Sequence, residues 1–288
     1  MSGGAGPSVI PSGPGIVYGV FAPNIPTLIS PRAFGSTLRW FVVPSVAVVN
    51  GLRSLNISGR VAPQAIIVVT PHFVSAAGIQ VQSSARLRCL HDFSGMPPEL
   101  EEVEYSPPGH PALARALVAA MQERGIPSET TEAWGLDHGA WSALMHLVPS
   151  ATIPVVPVSI ADLDPVHFLQ VGAALADGAR ASGVRAMVVG TGSLVHNFEF
   201  FRHSPGTGPW PEALRIESSI LDLVLRGDLD HLLEFDPEAW AAVTPEGNAA
   251  PLFAVLGAMG EGYRAGLVST SDRFGIGGLS TVQFLPPD

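Results

Sequence analysis

The apolar residues of this chain fall into two kinds of run. Ala65–Thr70 (Ala-Ile-Ile-Val-Val-Thr), Ile153–Ile160 and Ala186–Gly190 are apolar or β-branched at nearly every position. That is the pattern of strands covered on both faces. Ile16–Phe21 is a shorter run of the same kind. It ends at Ala22-Pro23-Asn24-Ile25-Pro26, which reads as a rigid turn. The second kind recurs every three or four residues. Leu113, Leu117, Ala120 and Met121 share one face of Pro111–Arg124, and Gly125 follows as a stop. Ile216, Ile220, Leu223 and Val224 do the same in Glu212–Arg226. Thr37–Leu55 is expected to be helical, with Pro44 kinking it or ending its first part. Asp164-Pro165 opens a helix to about Ser182, and Asn248–Met259 is a late helix. Gly78–Gln82, Tyr263–Thr270 and Leu279–Phe284 are expected strands, the last two closing an edge.

Strands alternating with helices predict an α/β fold: a single-domain sandwich whose central, mostly parallel sheet is covered by helices on both faces. The domain spans 16–288. A Gly-, Ser- and Pro-rich arm over 1–15 precedes it and is expected to be flexible. No internal repeat or convincing linker interrupts the chain, and Gly206–Pro211 reads as a surface loop.

Composition narrows the function classes. With 47% apolar and 14% charged residues over 288 positions, the chain can bury a substantial core. The formal net charge is −10, and all fifteen basic residues are Arg. No basic cluster exists, so nucleic-acid and acidic-membrane partners are not expected. The lack of Lys removes Schiff-base chemistry and the P-loop. Cys89 is the single cysteine, which excludes an intrachain disulfide and a cysteine-built metal site. There is no apolar run of membrane-spanning length and no leader-like start, so a cytoplasmic location is the default expectation.

Three histidines stand just after or near expected strand ends: His72, His138 and His196. Loops beyond strand ends are where α/β folds place their sites. His138 sits in Gly135-Leu-Asp-His-Gly-Ala-Trp141, read as a tight turn that pairs it with Asp137 beside Trp134 and Trp141. A histidine titrating near neutrality in such a turn suits proton transfer. His91, His110, His146, His167, His203 and His231 have ordinary helix or loop settings and are expected to be structural or solvated. A Gly-x-Ser-x-Gly elbow and a Gly-x-Gly-x-x-Gly phosphate loop are both missing. What remains is metal-assisted or acid/base chemistry on a small molecule.

Several stretches in order carry a resemblance. They are Pro23-Asn-Ile-Pro26, Thr70-Pro-His-Phe73, His91-Asp-Phe-Ser-Gly-Met-Pro-Pro-Glu-Leu100, Gly135-Leu-Asp-His-Gly-Ala-Trp141, Gly190-Thr-Gly-Ser-Leu-Val-His-Asn197 and a helix bearing Pro251-Leu252 and Gly257-Ala258. Together they resemble the class III extradiol ring-cleavage dioxygenases of the LigB superfamily, with the middle motifs most similar to its 4,5-DOPA dioxygenase branch. The resemblance implies a ferrous ion, O2 and a small aromatic substrate of the catechol or 2-aminophenol kind. It implies His72 as a metal ligand and His138 and His196 as the acid/base pair. Asp137, Trp141, Phe73 and Asn197 are the expected substrate contacts; Phe21, Trp134 and Phe198 are further aromatics near the motifs. The family's first metal histidine corresponds to Asn24. Counting back from Pro251-Leu252 puts the third ligand on Asn248; Glu246, two residues earlier, could reach in as a replacement ligand, though the register argues against it. A site of His72, Asn24 and Asn248 is degenerate, because a neutral amide binds Fe(II) weakly. Iron is then held weakly, replaced by another divalent metal, or absent. Two readings stay open: an active dioxygenase, or a metal-deficient homologue. The latter would be a non-catalytic partner subunit or a metal-independent acid/base enzyme using His138 and His196. The implied assembly is a homodimer or a hetero-oligomer with a catalytic homologue.

Overall fold

A computed structural model describes residues 10–34, 39–197, 210–270 and 278–287. Most of the N-terminal arm, Phe198, His203 and most of the 206–211 loop lie outside the described residues. Eight strands form one mixed sheet: β1 Gly15–Ala22, β2 Ala65–Ser75, β3 Ile79–Gln82, β4 Ser128–Thr131, β5 Val155–Ala161, β6 Arg185–Thr191, β7 Arg264–Ser269 and β8 Thr281–Leu285, in the order β4-β3-β5-β2-β6-β1-β8-β7. The four central strands, β5-β2-β6-β1, are mutually parallel. Toward the edges β3, β8 and β7 run antiparallel to their inner neighbours.

The unbroken apolar runs are buried on both sides, as their pattern requires. Along β2, Ile67 and Val69 face one core and Ile66 and Val68 face the other. The first core is closed by helices α2 (Pro111–Glu123), α4 (Pro165–Ala181), α5 (Pro211–Arg226) and α6 (Ala250–Met259). The second is closed by α1 (Arg39–Ser54) and α3 (His138–Leu147). Among the described residues no helix is long and apolar enough to cross a membrane.

Four local expectations are corrected. First, of the two alternatives at Pro44, ending the helix is excluded: α1 runs through it. The carbonyl that would have bonded the missing N–H belongs to residue 40, in the first turn, so only one early bond is lost. Second, β2 does not stop at Thr70. It resumes pairing with β5 at Val74↔Ile160 after Val69↔Val158, so four residues, 70–73, stand opposite Ser159 alone. Such a bulge re-aims side chains, here that of His72. Third, His138 is not in an isolated tight turn but is the first residue of α3. Asp137 caps that helix by accepting from the Ala140 N–H at 3.1 Å. Fourth, α6 begins at Ala250 rather than at Asn248, because Gly247, Asn248 and Ala249 all have left-handed φ.

Candidate active site

The carboxyl ends of the parallel strands β1, β2 and β6 deliver Asn24, His72 and Ser193–His196 to one side of the sheet. The amino end of α3 adds His138, and the turn before α6 adds Glu246. Together they line a cavity of about 750 Å³, within the size range of small-molecule sites.

Glu246 is its centre. Its Oε1 accepts from Asn24 Nδ2 at 3.0 Å, meets His72 Nε2 at 3.1 Å and lies 3.9 Å from His196 Nε2. Its Oε2 accepts from the backbone N–H of Ser193 at 3.1 Å, and the Glu246 N–H donates to the Ser193 carbonyl at 3.0 Å. Burial alone would raise the Glu246 pKa. The bond to His72, the charge of His196 and the bond to Asn24 outweigh it and hold the carboxyl below its ordinary value. Gly247 makes this placement possible. Its φ is +59°, and a Cβ there would lie 2.9 Å from Pro71 Cβ.

A second carboxylate organises the histidines from behind. Asp92 Oδ2 pairs with His72 Nδ1 at 2.7 Å, and Asp92 Oδ1 pairs with His138 Nδ1 at 2.8 Å and accepts the His138 backbone N–H at 2.7 Å. Burial pushes Asp92 up, but the bonds to both histidines hold it far below the ordinary carboxylate range, so it is an anion that accepts from both rings. His72, placed between two carboxylates, is pushed up to about 10: burial pulls it down, and the Asp92 and Glu246 bonds more than reverse that. The two imidazoles meet edge to face with centroids 4.3 Å apart. Gly139 permits this approach, since a Cβ there would stand 2.7 Å from His72 Cδ2 and 2.7 Å from Thr70 Oγ1.

The expected substrate contacts are elsewhere. Asp137 is fully buried and absent from the cavity wall. It accepts from Thr70 Oγ1 at 2.7 Å and Trp134 Nε1 at 3.0 Å besides capping α3, and burial raises its pKa. Phe73 is buried, stacks on Trp134 at 5.0 Å and is absent from the cavity wall. Trp141 is a core residue whose Nε1 donates to the Leu90 carbonyl at 2.8 Å. Asn197 Nδ2 donates to the Ala242 carbonyl at 2.8 Å. Asn248 lines a different cavity with Trp240 and Phe253. Three successive left-handed residues break the helical register on which the backward count depended, and the side chain that turns in is Glu246. Asn24, His72, His138 and His196 do line the cavity. Asp92 was legible only as one residue of a loop motif. Of the remaining histidines, His146 is buried with Nε2 on the Leu28 carbonyl at 2.7 Å, and His110 caps α2 by accepting from the Leu113 N–H at 3.1 Å.

This donor set fits a divalent metal. His72 Nε2, the Glu246 carboxylate and the Asn24 amide converge on one point, with His196 beside them. The His72 imidazole and the Glu246 carboxylate, with the His196 imidazole 3.9 Å from the same oxygen, supply the two-histidine, one-carboxylate ligand types of non-haem iron sites. Asp92 on the far nitrogen of His72 is the outer partner that such a ligand uses to fix its tautomer. His72, Asp92 and His138 also offer donor atoms within 4.8 Å of one another. Asp92 is not part of the cavity wall, however.

Residues 52–281 match the family model described as the catalytic LigB subunit of aromatic ring-opening dioxygenases. The chain is 34% identical over 204 residues to an Escherichia coli K12 protein named 4,5-DOPA dioxygenase extradiol, covering 68% of this chain and 73% of that one. It is 30% identical over 230 residues to a protein of the same name from Mirabilis jalapa, covering 78% and 84%. A crystal structure of an uncharacterized E. coli K12 protein superposes with a TM-score of 0.65 at 26% identity, covering 92% of this chain and 98% of that one. The match contains His72, Asp92, His138, His196 and Glu246, while Asn24 precedes it.

Proposed function

Because this chain belongs to the LigB family of aromatic ring-opening dioxygenases, we propose that it opens the ring of a catechol- or 2-aminophenol-like substrate with Fe(II) and O2. The convergence of Asn24, His72 and His196 on Glu246 Oε1 is the observation that carries this reading. His72 Nε2 and Glu246 would hold the metal, with the Asn24 amide turned so that its oxygen faces the ion. The chemistry that iron supplies when bound is Lewis acidity toward the two ring substituents and electron exchange with O2.

The protein's own groups do the rest. Asp92 takes the Nδ1–H of His138, which leaves Nε2 as the lone-pair nitrogen. That nitrogen removes a proton from the substrate hydroxyl. His196, which lines the cavity with Nε2 3.9 Å from Glu246 Oε1, returns a proton to an oxygen of the opened product. Ser193 Oγ is buried without a hydrogen-bond partner among the described residues. Overall one ring carbon–carbon bond next to the diol is broken and both atoms of O2 enter the product. The ring carbons are oxidised by O2 and no external reductant is consumed. A non-catalytic partner subunit would leave the Glu246–His72–Asp92–His138 chain of contacts without a task.

Oxygen uptake tests this reading with catechols and 2-aminophenols, after anaerobic loading with Fe(II). Uptake that depends on iron is expected, and His138→Ala and His196→Ala should each lower turnover by about 10²- to 10⁴-fold. Uptake indifferent to both substitutions would remove them from the mechanism.

A further inference from the structure

The cavity is larger than the chemistry needs. A catechol is one six-membered ring with two hydroxyls, and about 750 Å³ is room for a considerably larger ligand. Apart from the polar cluster around Glu246, its wall is dominated by Ile25, Phe34, Val74, Phe93, Met96 and Leu279. Phe93 stands edge-on to His138 with centroids 5.1 Å apart, so the apolar wall begins beside the proton-accepting ring. Val74 lines the cavity and is 64% exposed, which places that wall at the cavity's opening to solvent. Met96 adds an adaptable surface.

The charges point the same way. Among the described residues no Arg lines the cavity, and the chain contains no Lys. A carboxylate on the substrate's tail would lose water against that apolar wall.

We infer that the ring opened here is an uncharged catechol or aminophenol bearing an apolar substituent of several carbons. This rests on the ring-opening reading above and adds to it the class of the substrate's tail. Burying each methylene of that tail raises kcat/KM about fourfold until the wall is filled.

The test compares catechol, 4-methylcatechol, 4-propylcatechol, 3,4-dihydroxybenzoate and DOPA on the iron-loaded protein, by oxygen uptake and by anaerobic binding calorimetry. The expected result is a stepwise rise along the alkyl series, with both charged catechols roughly tenfold or more below 4-propylcatechol. Val74→Arg, which puts a cation at the opening, should raise kcat/KM for 3,4-dihydroxybenzoate relative to 4-propylcatechol. Preference for the charged catechols, or a flat alkyl series, would overturn the inference while leaving ring opening intact. Tighter anaerobic binding along the alkyl series with no oxygen uptake would keep the ligand class and overturn ring opening.

Discussion

Asp92 Oδ1 holds His138 twice, through the ring Nδ1 at 2.8 Å and the backbone N–H at 2.7 Å, while its Oδ2 holds His72. One carboxylate thus fixes both imidazoles, His138 and His72, in register. Asp92→Asn can accept from one ring but must present an amide N–H to the other. Turnover is expected to fall about 10- to 100-fold, and the acid limb of the pH–rate profile should shift, which a merely structural contact would not cause. Steady-state oxygen uptake across pH reads both.

Glu246 and Asn248 make opposite predictions from neighbouring positions. Glu246→Ala removes the oxygen on which Asn24, His72 and His196 converge, and iron retained after desalting should drop to a small fraction of the parent's. Asn248→Ala alters a different cavity and should leave iron content within error. Metal analysis of the two proteins after identical anaerobic loading decides between the ligand set read from the register and the one built by the fold.

Asn24 is the weak member of the donor set. Asn24→His replaces a neutral amide by an imidazole at the same strand end, and Fe(II) should bind at least about tenfold more tightly, which is about 1.4 kcal/mol. Competition with a chelator of known affinity measures it. An unchanged affinity would mean that Asn24 does not ligate.

Metal binding should compete with protons at His72. Without metal its pKa is pushed up to about 10 by Asp92 and Glu246, after burial has pulled it down. The protonated form therefore dominates through neutral pH, and ligation must displace that proton. Apparent affinity is expected to rise by about tenfold per pH unit from pH 6 to 9, one proton released per metal bound. The sign follows from the raised pKa: lowering pH favours the proton, raising it favours the metal. Affinity titrations in buffers of different ionisation enthalpy count the protons.

Much of this was legible in the chain. The doubly apolar runs of Ala65–Thr70 and Ala186–Gly190 specify buried parallel strands, and the three histidines after strand ends do share one cavity. What periodicity could not carry was local backbone geometry. The bulge over 70–73 and the left-handed run over 247–249 depend on φ values that no hydrophobic pattern encodes. Those two irregularities decide that His72 enters the cavity and that Glu246 replaces Asn248 there. Asp137, Trp141 and Phe73 sit in motifs as long as those of the active residues. Their role is to cap α3 and fill the core under it, a distinction that needs burial rather than sequence. Gly139 is what lets the His72 ring come this close, since a Cβ there would stand 2.7 Å from His72 Cδ2.

The most direct test of the account is a turnover of 4-propylcatechol under ¹⁸O₂ by the iron-loaded protein, with the product analysed by mass spectrometry. The account predicts a ring-opened product carrying both labelled oxygens, formed by the parent and lost in Glu246→Ala. Recovery of intact substrate from a protein holding one iron per chain, across the catechol and aminophenol series, would contradict it.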